Sequence, residues 1–314
     1  MEKKNYLLSI VVPCYNEAKN INSTFNTLVT ELKSLVPSYE IIFVDNGGTD
    51  NQLEIMKKLY NQNNDVVRIV SLSRNFGYQM SISAGLEFAK GDAIIIIDAD
   101  LQDPVSLFGT FIKKWEEGFD VVYGIRNKRR GSFFMKPFYY FFYKLFHWTS
   151  DIEVPVNAGE FGLISRKVAD KILEMPERVR FIRGLRAWVG FKQTGVPYVR
   201  DQRSKGKSKF RFFDTYSLAL DGILSFSTRI LTFLTLLGFL TLSFSLLLIG
   251  YILYWRYYHG ELIPGYAALM VTVSFFSGII IMMLGIIGAY IERIFLEVKE
   301  RPRFIVEETL GFND

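Results

Sequence analysis

An α/β domain built on a mostly parallel sheet, followed by a two-helix membrane hairpin, is the fold class that this 314-residue sequence predicts. Three observations predict it. Strand-like and helix-like stretches alternate from Leu7 to Gly124, the pattern of a doubly wound sheet with right-handed crossovers. Within that alternation Ala93-Ile94-Ile95-Ile96-Ile97 is apolar at every position, as a central parallel strand covered on both faces must be. Towards the carboxyl end, residues 230–255 and 262–291 are uncharged throughout, and each exceeds the roughly 20 residues that a helix needs to cross hydrocarbon.

Leu7 to Val12 reads as the first strand, with Pro13-Cys14-Tyr15-Asn16-Glu17 as the loop into a helix from about Ala18 to Leu35. Glu40 to Val44 is the second strand and runs into Asp45-Asn46-Gly47-Gly48-Thr49-Asp50. Paired glycines permit a tight turn, and Thr49 or Asp50 can cap the helix that follows. Val66 to Ser71 is the third strand, followed by Ser73-Arg74-Asn75-Phe76-Gly77 and a helix to about Lys90. The isoleucine strand is the fourth. Pro104 starts a helix to about Glu117, and Asp120 to Gly124 is a fifth strand. No G-x-G-x-x-G follows the first strand, so a dinucleotide-binding fold lacks its main support.

The fourth strand stops in Asp98-Ala99-Asp100-Leu101-Gln102-Asp103-Pro104. An isolated D-x-D is more often a solvated turn, but the isoleucines fix these carboxylates at a strand's carboxyl end, where open α/β sheets bind ligands. Crowded carboxylates call for a cation, and hard oxygen donors suit Mg²⁺ or Mn²⁺, held by one or two carboxylates together with substrate phosphates. Other strand ends are polar as well: Tyr15 and Asn16, Asp45, Arg74 and Asn75, and Arg126. Together they would line one edge of one sheet, which favours a nucleotide cleft.

Phe133 to Trp148 is dominated by aromatic residues yet contains Lys136 and Lys144. It is short for a span and too apolar for a solvated helix, so an in-plane interfacial helix is expected, with core burial as the alternative. A second such stretch, 209–228, follows the basic run Arg203-Ser204-Lys205-Gly206-Lys207-Ser208-Lys209. The uncharged runs 230–255 and 262–291 are joined by six residues and form a hairpin within 229–292. Lys and Arg are dense before the first run and recur after the second, at Arg293, Lys299, Arg301 and Arg303. The positive-inside rule therefore puts the domain 1–208 and the tail 293–314 in the cytoplasm, under the plasma membrane in a bacterium.

A single cysteine, Cys14, excludes an intrachain disulfide and reads as a packing residue. No basic-then-apolar leader opens the chain, so the first domain is expected to stay on the side where it is made. The net charge of +5 is modest and concentrated in residues 126–136 and 200–211, which suits a membrane surface; no nucleic-acid partner is expected.

A carboxylate-rich strand end, a nucleotide cleft, a basic arm and a membrane-hugging aromatic stretch converge on transfer from a soluble nucleotide-linked donor to a lipid. Arg126, Arg203 and Lys209, with Ser208, are candidates for gripping the phosphate of an anionic acceptor. A phosphate monoester with a second pKa near 6 is mostly a dianion at neutral pH and needs positioning more than a general base.

The motifs Val11-Val12-Pro13-Cys14-Tyr15-Asn16-Glu17, Phe43 through Asp50, Arg74-Asn75-Phe76-Gly77, Asp98 through Pro104 and Arg203 through Lys209 together resemble family-2 glycosyltransferases of GT-A fold. The resemblance is to the polyprenyl-phosphate group, which includes bactoprenol glucosyltransferases and dolichol-phosphate mannose synthases. It implies a GT-A nucleotide-sugar-binding domain with UDP-glucose as donor and undecaprenyl or dolichyl phosphate as acceptor. Pro13, Tyr15, Asn16, Glu17, Asp45, Asn46, Arg74, Asn75 and Asp98 would bind the nucleotide-sugar, and Asp100 and Gln102 the metal. Arg126, Arg203, Ser208 and Lys209 would bind the lipid phosphate, and Asp98, Asp100, Asn157 and Glu160 are the candidate catalytic residues.

The chain departs from the family pattern twice. Asn46 and Gly48 stand in a segment that usually reads Asp-Asp-Gly-Ser, and Asn157-Ala158-Gly159-Glu160-Phe161-Gly162 replaces Asp-x-Gly-Asp-Phe-Arg, so Glu160 could take over a carboxylate's role. Two other readings stay open. A processive polysaccharide synthase would carry Gln-x-x-Arg-Trp and more spans, where this chain has Arg183-Gly184-Leu185-Arg186-Ala187-Trp188 and a hairpin. A catalytically silent membrane scaffold would keep the fold without turnover. The sequence leaves a homo-oligomer open.

Overall fold

The computed structural model describes residues 6–126, 158–200, 229–259 and 265–312. The aromatic stretch 133–148, the stretch 209–228 and the site candidates Asn157, Arg203, Ser208 and Lys209 lie outside these residues. The described residues fall into two compact units. One holds those up to Arg200 together with those from Arg301 on, the other those from Arg229 to Glu300.

The first unit runs β1 (Leu7–Cys14), α1 (Ala18–Leu35), β2 (Ser38–Asp45), α2 (Gln52–Gln62), β3 (Val67–Leu72), α3 (Tyr78–Phe88), β4 (Ala93–Ile96), a 3₁₀ turn (Val105–Leu107), α4 (Phe108–Glu116) and β5 (Val121–Arg126). It continues through β6 (Ala158–Ser165), α5 (Arg166–Glu174), α6 (Ile182–Trp188) and β7 (Gln193–Tyr198), and ends in β8 (Val306–Leu310). These strands make one sheet in the order β7-β5-β6-β4-β1-β2-β3-β8. β3, β2, β1 and β4 are mutually parallel, and strand order reverses between β1 and β4. β6 then runs antiparallel to both β4 and β5, while β7 is parallel to β5.

The predicted alternation is present up to β5, and the mixed, mostly parallel sheet agrees with the expected α/β class. Burial explains why these segments take these forms. α1 turns Ile21, Phe25, Leu28 and Leu32 into the same core as Leu8, Ile10 and Val12 of β1, the spacing of one helical face meeting alternate strand residues. On the opposite face α3 packs so closely that a Cβ at Gly85 would run into the side chain of Val11. All four residues of β4 are buried.

Two parts of the sheet escape the sequence reading. β6 and β7 lie beyond the alternating region, and β8 lies in the segment read as a tail. β8 pairs antiparallel with β3. It is secured by a Ser73 N–H bond to the Ile305 carbonyl at 3.0 Å and a Lys57–Glu308 ion pair at 2.7 Å. Arg303 donates to the carbonyls of Leu173 and Met175, both at 3.3 Å.

The second unit holds α7 (Arg229–His259) and α8 (Tyr266–Val298). Within them Leu234–Trp255 (22 residues) and Phe275–Val298 (24 residues) are long and apolar enough to cross a membrane, judged by length and composition. α8 continues past the uncharged run through Glu292, Arg293 and Glu297, since a helix's hydrogen bonding need not stop where its apolarity does.

Candidate active site

The carboxyl ends of β1 and β4 flank the switch point of the sheet, where an open α/β sheet forms its ligand crevice. The first side of that crevice is built from the loops after β1, β2 and β3. Gly47 has φ +62°, and a Cβ there would meet the backbone of Arg74 and Asn75, so a glycine lets the β2 loop press against the β3 loop. Asp45 is buried. Its Oδ1 accepts from the Gly48 N–H at 3.0 Å and from the Gln52 amide, and its Oδ2 accepts from the Ser71 hydroxyl at 3.0 Å. Gln52 also accepts from the Glu17 N–H at 2.9 Å and donates to the Cys14 carbonyl, tying the β1 loop to the β2 loop.

Asn46 Nδ2 donates to Asn75 Oδ1 at 3.0 Å, and its own Oδ1 accepts from the Phe76 N–H at 2.9 Å. Asn16, at φ +55°, accepts from the N–H groups of Thr49 at 2.6 Å and Asp50 at 3.2 Å. Asp50 in turn accepts from Gln52 N–H at 3.2 Å and Ala18 N–H at 3.1 Å, so it meets the starts of both α2 and α1. Tyr15 is partly exposed at the end of β1, Pro13 lies within that strand, and the Arg74 guanidinium sits 4.1 Å from the centroid of the Phe76 ring. Cys14 is buried with its thiol pushed well up by burial and by Glu17 and Asp45, which fits a packing role.

The second side is the acidic strand end. Asp98 Oδ1 accepts from the Tyr78 hydroxyl at 2.6 Å, and Oδ2 faces Arg200 Nη2 at 3.4 Å. Burial and the charges of Asp103 and Asp100 push the Asp98 carboxyl up to about 6, against the opposing pull of Tyr78 and Arg200. Asp103 is buried; it accepts from the Tyr198 hydroxyl and pairs with Arg200 Nε at 3.1 Å and Arg126 Nη2 at 3.8 Å. Arg126 also donates to Tyr198 at 3.1 Å, and Gly159 leaves room for its guanidinium. Leu101 lies at φ +53° between Asp100 and Gln102, a left-handed conformation that costs a non-glycine residue about 1–2 kcal/mol. It folds the turn back so that Gln102 N–H donates to Asp100 Oδ1 at 3.2 Å.

Glu160, on β6, is buried. Its Oε1 accepts from Gln79 at 3.1 Å and Arg183 at 3.2 Å, while Gln79 accepts from the Ile182 N–H at 2.8 Å. Glu160 thus anchors the start of α6 to α3. Its charge and that of Asp98, after burial itself, push the Tyr78 hydroxyl well up.

The structure therefore brings the nucleotide-side candidates to one set of loops, and Asp98, Asp100, Gln102 and Arg126 to the neighbouring strand ends. The sequence reading missed Tyr78, Tyr198, Gln52 and Arg200. Tyr78 could have been found from its position at the helix start after Arg74-Asn75-Phe76-Gly77, whereas Arg200 follows a strand that carries no alternating signal. Among the described residues no group of three His, Cys, Asp or Glu side chains forms a complete metal cage. Asp98, Asp100 and Gln102 still supply hard oxygens at one strand end, the donor set of a site that substrate phosphates complete.

A family model described as glycosyl transferase family 2 matches residues 9–173. The uncharacterized glycosyltransferase YkcC of Bacillus subtilis (strain 168) is 41% identical over 307 residues, covering 98% of this chain and 95% of that protein. The SfII prophage-derived bactoprenol glucosyl transferase of Shigella flexneri is 38% identical over 304 residues, 96% of this chain and 98% of that protein. A prophage bactoprenol glucosyl transferase homolog of Escherichia coli (strain K12) is 37% identical over 303 residues, with coverage of 96% and 98%.

Proposed function

The chain belongs to glycosyl transferase family 2, and from that membership we propose that it moves glucose from UDP-glucose onto a polyprenyl phosphate at the cytoplasmic face of a membrane. The observation that carries the proposal is the acidic end of β4 beside the switch point, ringed by Tyr78, Arg126 and Arg200. Carboxylates there suit a diphosphate donor with a divalent cation, and the arginines suit an anionic acceptor. Bactoprenol glucosyl transferases that align over nearly their whole length support a polyprenyl phosphate acceptor, undecaprenyl or dolichyl phosphate. The helices Leu234–Trp255 and Phe275–Val298 support a membrane location.

The acceptor's phosphate oxygen attacks the anomeric carbon as the bond to UDP breaks, which inverts the configuration and releases UDP. The acceptor is a dianion at neutral pH, so no side chain has to remove a proton. Asp100 and Gln102, with Asp98, would hold Mg²⁺ or Mn²⁺, whose chemistry is to neutralise the charge that develops on the leaving diphosphate. The loops after β1, β2 and β3 bind the nucleoside, with Pro13, Tyr15, Glu17 and Asp45 as its contacts. Arg126 together with Arg203, Ser208 and Lys209 orients the lipid phosphate. Tyr78 fixes the Asp98 carboxylate, and Glu160 keeps α6 docked, a supporting role that leaves direct catalysis to the strand end.

UDP release from UDP-glucose, measured with and without undecaprenyl phosphate, tests the reading. Release that requires the lipid phosphate and matches glycolipid formed mole for mole is expected. Release without the lipid would favour a processive synthase, and none under either condition a silent scaffold.

A further inference from the structure

We propose that Arg200 is the resident counter-charge of the acidic strand end and competes with the divalent cation for Asp98 until the donor arrives. The inference rests on the metal-assisted transfer proposed above and deepens it by naming what holds the carboxylates beforehand. Asp98, Asp100 and Asp103 fall within six consecutive residues, and carboxylates so close repel one another. The two contacts of Arg200 are unequal. Its Nη2 donates to Asp98 Oδ2 at 3.4 Å, whereas its Nε faces Asp103 Oδ1 at 3.1 Å as an ion pair without hydrogen-bond geometry; Asp103 is also held by Tyr198 and Arg126, and the other oxygen of Asp98 by Tyr78. If Arg200 moves away, Asp98 keeps Tyr78, and Asp103 keeps Tyr198 and Arg126.

A doubly charged ion approaching Asp98 and Asp100 meets a guanidinium already within 3.4 Å of the same carboxylate. In a part-buried site that repulsion is felt more strongly than in water. The guanidinium has to withdraw from Asp98. Its planar fork then finds suitable new partners in the phosphate oxygens of the donor. Cation and donor would thus bind cooperatively, because the donor supplies the alternative partner for Arg200.

The test is Mn²⁺ binding to the full chain in detergent, read from the electron paramagnetic resonance of the free ion, for wild type, Arg200→Ala and Arg200→Lys, with and without UDP. Arg200→Ala is expected to bind Mn²⁺ about tenfold more tightly without UDP, because it removes a cation from the ion's own ligands. The gain in Mn²⁺ affinity on adding UDP should shrink in that variant, and glucosyl transfer should fall. Arg200→Lys, which keeps the charge, should stay near the wild-type Mn²⁺ affinity. Should the alanine variant fail to fold, Arg200→Gln gives the same comparison, since it also removes the charge. Unchanged or weaker Mn²⁺ binding when the charge is removed, with the wild type binding normally, overturns the inference alone. No Mn²⁺ binding by the wild type, even with UDP, overturns it together with the metal reading.

Discussion

At the carboxyl ends of β2 and β3 the polar side chains hold one another through amides and backbone N–H groups, whereas at the ends of β4 and β7 they are held by charge. Asp45 accepts from Gly48, Gln52 and Ser71, and Asn46 bonds to Asn75 and Phe76. Their donors are neutral amides, hydroxyls and backbone N–H groups, so salt should screen them little. By contrast, Asp98 and Asp103 depend on Arg200, Arg126 and two tyrosine hydroxyls, and any incoming ion competes for the same atoms. The difference teaches which side is preorganised and which is set to exchange partners. On the proposed function, a nucleoside would be recognised by the preorganised loop cluster, while the reacting diphosphate would arrive where charge can be rearranged.

The largest effect should come from breaking the charged side at Asp100. Asp100→Ala is expected to reduce transfer by roughly a hundredfold or more, because the leaving diphosphate loses a fixed electrostatic partner. Thermal stability should change little, since Asp100 is only partly buried at the surface of the turn. Initial rates at saturating donor and lipid check this; normal turnover in the presence of a chelator would remove the metal from the mechanism.

That side was the more legible in the sequence, and the reason is physical. A run of isoleucines that ends in aspartates combines burial with charge over fewer than a dozen residues, so Asp98 and Asp100 can be found without knowing any partner. The loops after β1 to β3 were legible as turns for a similar reason, with Gly47 and Asn16 now seen at positive φ. What could not be read is whatever depends on distant pairing. Tyr198 and Arg200 meet Asp103 and Asp98 across about a hundred residues of chain, and nothing local marks them. Likewise β8 is a five-residue edge strand with Glu307 and Thr309 exposed and no residue fully buried, which reads as a tail, although its pairing to β3 and the bond from Ser73 to Ile305 sit one residue from Arg74.

A smaller effect sharpens the comparison through pH. Burial, and then Asp103 and Asp100, push the Asp98 carboxyl up from an ordinary value of 3.8 to about 6. The native state therefore binds a proton here more readily than the unfolded chain does. Between pH about 6 and about 4, falling pH should accordingly add stability through Asp98, and rising pH should remove it. The ion pair with Arg200 follows the opposite course, forming as Asp98 ionises above about 6. Melting temperatures of wild type and Asp98→Asn across this range should diverge with pH, as the amide does not titrate. Parallel curves would mean that Asp98 is ionised throughout. No such window is expected for the neutral latch at Asn46.

The smallest expected effect tests that latch. Where this chain has Asn46, the family pattern usually has an aspartate, and the loss of a carboxylate from a donor site could be read as decay. The hydrogen bonds argue otherwise. Asn46 both accepts from the Phe76 N–H and donates to Asn75 Oδ1, and an ionised aspartate can only accept. Asn46→Asp would keep the first bond and set a carboxylate against the Asn75 carbonyl oxygen, which would have to turn and so give up its bond from the Gly77 N–H at 2.8 Å. Losing one such bond costs about 1 kcal/mol, or roughly fivefold in UDP affinity if the strain falls on the loop that binds the nucleotide. Calorimetry of UDP binding would read the loss. Asn46→Asp combined with Asn75→His, whose ring can offer an N–H to the new carboxylate, should recover part of it. If the single change instead strengthened UDP binding, the asparagine would be a defect in the site and not one half of a matched pair.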